Sequence, residues 1–101
     1  MKPKSDRSVR NTKKKGARRE HDTMALLESL GYRCTRSSAS LGEWDVIGIG
    51  TTDIVLVQVK TNEWPGSWEM RILEEYRVPP NVRKLVHRWR DGQHLPDVRE
   101  L

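Results

Sequence analysis

The chain has 101 residues, of which 33% are charged and 35% hydrophobic, and its formal net charge is +5. This length fits one small domain with a limited core, and no apolar run approaches the roughly 20 residues that a transmembrane helix needs. The first residues lack the apolar segment of a secretory signal, and the single Cys34 excludes an internal disulfide. We therefore expect an intracellular protein, in the cytoplasm or nucleoid, with no membrane partner.

Positive charge is concentrated at the N-terminal end. Residues 1–19 contain nine Lys or Arg and one acidic residue, which gives +8, whereas ten basic and thirteen acidic side chains give the remainder −3. Residues 1–15 show no apolar periodicity and are predicted to form a disordered basic arm before a single domain over 16–101. Such an arm either keeps the chain soluble or binds nucleic-acid phosphates, and an anionic membrane surface would also attract it.

Helix and strand patterns alternate through the domain. The predicted elements, in chain order, are a helix over Gly16–Leu30, strands over Tyr32–Ser38, Glu43–Ile49 and Ile54–Lys60, a helix over Trp68–Tyr76, and strands over Arg83–Arg90 and Val98–Leu101. Gly31 is suited to end the first helix. Because Ile54–Val57 is apolar on both faces, that strand is expected to be central. This order predicts an α/β fold with a small mixed β-sheet flanked by helices.

Glu20 lies in the middle of the apolar stripe of the first predicted helix, at helical spacing from Met24 and Leu27. A carboxylate facing a sheet costs several kcal/mol unless a cation or hydrogen bonds compensate its charge. Two interpretations are open. Either Glu20 binds a metal ion, or the helix rolls and Glu20 pairs with an arginine such as Arg19 or Arg33.

The predicted hairpin gathers polar side chains on one face of the sheet. A turn centred on residues 51–52 places Asp45 across from Gln58, and Lys60 follows on the same face. Lys60 alone would also be explained by a strand that leaves the core, but Gln58 interrupts an otherwise apolar strand. A hard cation such as Mg²⁺ prefers oxygen ligands, and a nearby ammonium stabilises charge on a reacting phosphate.

Glu20, Asp45 and the Gln58-Val59-Lys60 segment resemble, in order and placement, the motif of the PD-(D/E)xK nuclease superfamily. Residues 15–20 and 36–42 resemble archaeal-type Holliday junction resolvases more closely. In those enzymes a basic, glycine-containing stretch precedes the helix glutamate, and a serine-containing loop precedes the aspartate. The resemblance covers residues 13–62. Trp44 stands where the motif often has Pro, and Gln58 replaces the usual acid, although some members carry Gln.

The resemblance implies a restriction-endonuclease-like core and hydrolysis of DNA phosphodiesters to 5′-phosphate and 3′-hydroxyl ends. It implies Mg²⁺ as the cofactor, with Mn²⁺ as a substitute, held at Glu20, Asp45, Gln58 and Val59. Lys60 would act on water and charge at the reacting phosphate, and Ser40 would contact a phosphate near the cut. The basic residues that would bind the DNA backbone are Lys13, Lys14, Lys15, Arg18, Arg19 and Arg36.

A junction resolvase makes two symmetric cuts, so the resemblance also implies a homodimer. Trp64 and Trp68 are candidates for a dimer face or for stacking on opened bases, whereas Trp89 is predicted to fill the core. Two alternatives to a resolvase stay open. One is another nuclease of the superfamily that acts on flaps, nicks or single strands, and the other is a non-catalytic nucleic-acid-binding module.

Overall fold

A computed structural model describes residues 3–37 and 42–101 of the chain, with side chains described from Gly16 onward. Its elements, in chain order, are helix α1 (Pro3–Ser29), strands β1 (Arg33–Arg36), β2 (Val46–Ile49) and β3 (Ile54–Thr61), helix α2 (Ser67–Glu75), and strands β4 (Val82–Trp89) and β5 (Asp97–Glu100). The fold is α/β, as predicted, with two helices and a mixed five-stranded sheet in the described part of the chain.

The N-terminal end differs most from expectation. We predicted a disordered arm over residues 1–15, but α1 begins at Pro3, so residues 3–15 continue the helix. Lys and Arg have high helix propensity, and proline is well accommodated in the first turn of a helix. Absence of apolar periodicity means that a stretch has no face to bury, which does not by itself exclude a helix. Neither described helix is both long and apolar enough to cross a membrane.

The sheet has the strand order β1-β2-β3-β4-β5, which confirms that β3 is central. The β3–β4 pair is parallel and the other three pairs are antiparallel. Ile49 pairs with Ile54 in the register that the turn predicted, and the Gly50 N–H donates to the Asp53 carbonyl at 2.8 Å. Helix α2 forms the crossover that a parallel pair of strands requires.

Helix α1 covers one face of the sheet. The fully buried part of this layer consists of Leu27, Val46, Val55, Val57 and Leu85. The helix ends in a Schellman motif, in which the Tyr32 N–H donates to the Leu27 carbonyl at 3.1 Å and the Gly31 N–H donates to the Glu28 carbonyl at 3.0 Å. Gly31 has a φ of +99°, the left-handed conformation predicted for it.

A buried polar cluster also joins α1 to β4. The Thr23 hydroxyl accepts the Trp89 indole N–H at 2.8 Å and lies 3.2 Å from His87 Nδ1. Burial lowers the pKa of His87 to about 4, so the ring is neutral near pH 7. Trp89 is 3% exposed, which confirms that it fills the core. This cluster therefore fixes the middle of α1 over the strand next to β3.

Helix α2 covers the opposite face, over a second layer formed by Trp44, Leu56, Met70, Leu73 and Val86. Its C-terminal end rests on a buried lysine. Lys84 Nζ donates to the carbonyls of Leu73, Glu74 and Tyr76 at 3.0, 2.7 and 2.8 Å. Carbonyls at a helix C-terminus lack partners within the helix and carry negative partial charge, so this ammonium stabilises the last turn. Lys84 thereby fixes the position of α2 on the sheet.

Candidate active site

Asp45 immediately precedes β2, one residue before the regular pairing with β3 begins at Val46. Its N–H donates to the Val57 carbonyl at 2.9 Å, and its carboxylate Oδ2 accepts the Val59 N–H at 2.8 Å. We expected Asp45 to lie directly opposite Gln58. Because the ladder ends one residue earlier, its carboxylate turns to the Val59 amide at the point where the apolar part of β3 ends.

The Asp45 carboxyl group is held in a setting that disfavours its charge. Burial raises its pKa to about 6, against a smaller lowering by the Val59 N–H. The negative charge of Glu20 raises the pKa further, the Lys60 ammonium lowers it, and Glu69 raises it. Glu20, Lys60 and Glu69 therefore lie within electrostatic range of Asp45, and the carboxylate lacks sufficient compensating positive charge.

Gln58 and Lys60 leave β3 on the α2 face, where both meet the first turn of that helix. Gln58 is 8% exposed, and its amide Nε2 donates to Glu69 Oε2 at 3.4 Å. Its carbonyl oxygen Oε1 is buried and has no hydrogen-bond partner among the described residues. Lys60 Nζ lies 3.5 Å from Glu69 Oε1 and keeps 30% of its side chain exposed. The cluster thus combines a buried carbonyl oxygen that has no described hydrogen-bond donor with an accessible ammonium.

Glu20 is held near this cluster by Arg36, a residue that was predicted to bind the DNA backbone. Its carboxylate accepts a hydrogen bond from Arg36 Nε at 2.9 Å, and 22% of the glutamate side chain is exposed. An arginine pair was one of the two interpretations open for Glu20, although the partner is Arg36 rather than Arg19 or Arg33. Glu20 pairs with Arg36 and also raises the pKa of Asp45 through its negative charge. Neither observation tests whether Glu20 binds a metal ion, so that role stays a prediction.

The other predicted site residues are distributed less evenly. Arg18 is exposed on α1, whereas Arg19 is 8% exposed, with its guanidinium 5.2 Å from the centre of the Trp89 ring. Arg19 also donates to Asp22, so it departs from the exposed phosphate ligand that we expected. The burial of Arg19 depends on how α1 is rotated about its own axis against the sheet. Hydrophobic periodicity predicts that rotation only approximately. Ser40 lies outside the described residues, and Lys13, Lys14 and Lys15 belong to the stretch of α1 without described side chains.

Sequence reasoning missed several residues around this cluster. Glu69 comes from α2, and two arginines of the sheet, Arg88 and Arg99, lie over the Trp64 ring at 4.5 and 4.7 Å. Arg88 is in register with Lys60 in the parallel β3–β4 pair, so both point to the same face. The alternation of side chains along β4, a strand that the sequence predicts, is enough to place Arg88 on that face. No local pattern places Glu69, because its position depends on how α2 crosses the sheet.

The oxygen atoms of this cluster fit a hard divalent cation in kind. Asp45 offers a carboxylate with insufficient compensation, Gln58 offers a carbonyl oxygen without a partner, and Val59 can contribute only its backbone carbonyl. Among the side chains described from Gly16 onward, no three of His, Cys, Asp or Glu are grouped so as to hold a metal ion. Mg²⁺ commonly uses one or two carboxylates and keeps several waters, so a sparse set of this kind suits it.

Comparison with known proteins adds no family to this description. The sequence matches no profile of a known protein family and no curated protein sequence.

Proposed function

We propose that this chain is a Mg²⁺-dependent endonuclease that hydrolyses DNA phosphodiesters to 5′-phosphate and 3′-hydroxyl ends. The observation that carries the proposal is the half-buried Asp45 carboxyl group, whose pKa is raised to about 6 beside the accessible Lys60 ammonium and the open Gln58 carbonyl oxygen. Perturbed carboxyl groups with a specific charged neighbour are concentrated at functional sites.

Each residue has a distinct role in this proposal. Asp45 and Gln58 would hold the cation through their side-chain oxygens, and the Val59 backbone carbonyl would add a further oxygen. When bound, Mg²⁺ supplies Lewis acidity toward the scissile phosphate. Lys60 orients water or stabilises the negative charge that develops on the phosphate oxygens. Glu20 adds negative charge from the α1 side, which raises the affinity of the site for a cation. The restriction-endonuclease-like arrangement of this core belongs to the same proposal.

Basic and aromatic side chains beside the cluster support DNA as the substrate. Arg99 contacts the Trp64 ring, as does Arg88, which is itself paired with Asp97 at 2.6 Å. Trp68, next to Glu69 in the chain, is 73% exposed. Guanidinium groups bind phosphates, and exposed indoles stack on unpaired bases at about 1–3 kcal/mol per base. A surface that combines both next to a reaction centre suits DNA with opened base pairs better than a uniform duplex.

A four-way junction as the preferred substrate rests on the resemblance of residues 15–20 and 36–42 to archaeal-type resolvases, and it requires a homodimer. A groove of about 340 Å³, lined by apolar and charged side chains, lies between the C-terminal half of α1 and the β4–β5 edge. Leu30 and Val98 line it and are 67% and 54% exposed. We assign this groove to a second copy of the chain. Light scattering should show a dimer that Val98→Asp converts to a monomer.

Cleavage of labelled DNA tests the proposal. With Mg²⁺, the wild-type chain should cut a four-way junction faster than a linear duplex of the same sequence, and Asp45→Asn should bind the junction without cutting it. Preference for flaps, nicks or single strands would replace the resolvase by another nuclease. Binding without cleavage in Mg²⁺ or Mn²⁺ would instead assign the chain to non-catalytic nucleic-acid-binding modules.

A further inference from the structure

Glu69 connects the two polar side chains of β3. Its Oε2 accepts from Gln58 Nε2 at 3.4 Å, and its Oε1 lies 3.5 Å from Lys60 Nζ. Gln58 and Lys60 are two residues apart on one strand face, so their side chains emerge roughly 7 Å apart. Each oxygen of one carboxylate therefore serves a different side chain. Glu69 spans the gap between the amide and the ammonium.

The contact with Glu69 determines which way the Gln58 amide points. With Nε2 toward the carboxylate, Oε1 is buried, and no described group donates to it. The flipped amide would set Oε1 against a carboxylate oxygen, and two acceptors repel each other. A buried acceptor without a donor destabilises the folded state. Gln58 is more than nine-tenths buried. Its oxygen therefore lacks a partner at a cost in folding free energy, which binding of a cation would offset.

Glu69 also changes the charge of the cluster. Three carboxylates, from Glu20, Asp45 and Glu69, and two cations, Lys60 and the Arg36 that pairs with Glu20, give a formal charge of −1 when all are ionised, and without Glu69 the sum would be zero. Its charge reaches Asp45, because Glu69 is among the groups that raise the pKa of that carboxyl group. A divalent cation is attracted more strongly by a net charge of −1 than by a neutral cluster. Gln58 contributes no charge of its own, so a helix residue supplies it.

We infer that Glu69 is a positioning residue of the proposed reaction centre, which aims the Gln58 carbonyl oxygen at a divalent cation and holds Lys60 beside it. This inference rests on the proposed function. Glu69 lies in the first turn of α2, where the helix dipole favours a carboxylate. Because Lys84 fixes the other end of α2, the helix holds Glu69 at a set position over β3.

The test compares Glu69→Gln with Glu75→Gln, which removes the same charge from the exposed end of the same helix. Titration calorimetry with Mn²⁺ measures cation binding without catalysis, and junction cleavage gives kcat and the DNA affinity. Glu69→Gln should weaken Mn²⁺ binding and lower kcat by about tenfold or more, as residues that orient ligands do. The DNA affinity should stay within about twofold. Glu75→Gln should match the wild type in all three quantities.

A second variant separates positioning from a general loss of stability. In the double variant Gln58→Glu with Glu69→Gln, the carboxylate moves to β3, and Mn²⁺ affinity should return to within about threefold of wild type. Unchanged Mn²⁺ affinity and kcat in Glu69→Gln, with an active wild type, would overturn the inference and leave the proposed function standing. A wild type that neither binds Mn²⁺ nor cuts DNA would overturn the proposed function, and this inference with it.

Discussion

Both ends of helix α2 rest on polar side chains from the sheet, but only at the C-terminal end is the hydrogen-bonding capacity of these side chains fully used. At the C-terminal end, Lys84 is buried and donates to three carbonyls at 2.7–3.0 Å. At the N-terminal end, Lys60 has a single described contact, at 3.5 Å, and the Gln58 carbonyl oxygen beside it has no described partner. Two lysines on the same sheet face thus have different environments. A saturated polar group stabilises the fold, whereas one with unused capacity is available for a ligand.

The largest effect should follow from Lys60. Lys60→Ala removes the ammonium from the proposed reaction centre, so junction cleavage should fall about 10²–10³-fold, equivalent to about 3–4 kcal/mol of transition-state stabilisation. Quenched-flow or gel assays at saturating Mg²⁺ measure the rate, and circular dichroism checks the fold. Cleavage within about threefold of wild type would remove Lys60 from the chemistry.

The opposite end of α2 should respond in stability. Lys84→Met keeps the aliphatic stem but leaves three helix carbonyls without their donor, so the free energy of unfolding should fall by about 2–3 kcal/mol. Urea denaturation measures the loss. Lys60→Met serves as the matched control and should change stability by less than about 1 kcal/mol, because Lys60 is partly exposed with one long contact. Equal losses in the two variants would contradict the difference drawn between the two ends.

Replacement of Asp45 should increase the stability of the chain while it abolishes cleavage. Its pKa is raised to about 6 in the folded chain, so the folded state holds its proton between about pH 4 and 6, where the unfolded state has lost it. Stability from this group is present below pH 4 and is lost as the pH rises through 6. Asp45→Asn keeps an oxygen for the Val59 N–H and should therefore stabilise the chain by about 1–2 kcal/mol at pH 8 after discounting for solvent.

Thermal unfolding of wild type and Asp45→Asn at pH 4 and pH 8 tests this sign. The difference in Tm should be large at pH 8 and small at pH 4. A variant less stable than wild type at pH 8 would mean that Asp45 contributes to the fold through its charge.

The smallest effect is expected on the solvent side of α2. Arg71 and Glu75 form an i,i+4 pair in which both side chains are 69% exposed. Arg71→Ala should change the free energy of unfolding by no more than about 0.5 kcal/mol and leave cleavage unaltered. A larger change would show that this face of α2 contacts something other than solvent.

Local chemistry in the sequence predicted much of the fold. The turn at 50–53 fixed the register of β2 and β3, and Gly31 marked the end of α1, because both depend on neighbouring residues alone. The apolar run in β3 predicted a central strand. Residues 3–15 were missed because a polar helix has no apolar period, so its pattern resembles that of a disordered segment.

The candidate site was predictable only in part. Periodicity and turn geometry brought Asp45, Gln58 and Lys60 to one end of the sheet, although the ladder stops before Asp45. Glu69 and Lys84 could not be foreseen, because their contacts depend on the path of α2 across the sheet, which nothing local encodes. The burial of Arg19 depends likewise on the roll of α1 against Trp89.

Titration of the Asp45 carboxyl carbon by NMR, with and without Mg²⁺, tests most directly whether the unsatisfied end of α2 is a cation site. Without Mg²⁺ this group should titrate near pH 6, and saturating Mg²⁺ should lower its pKa by a unit or more, because a bound cation stabilises the carboxylate. An Asp45 that titrates near pH 4 and does not respond to Mg²⁺ would contradict the proposed site.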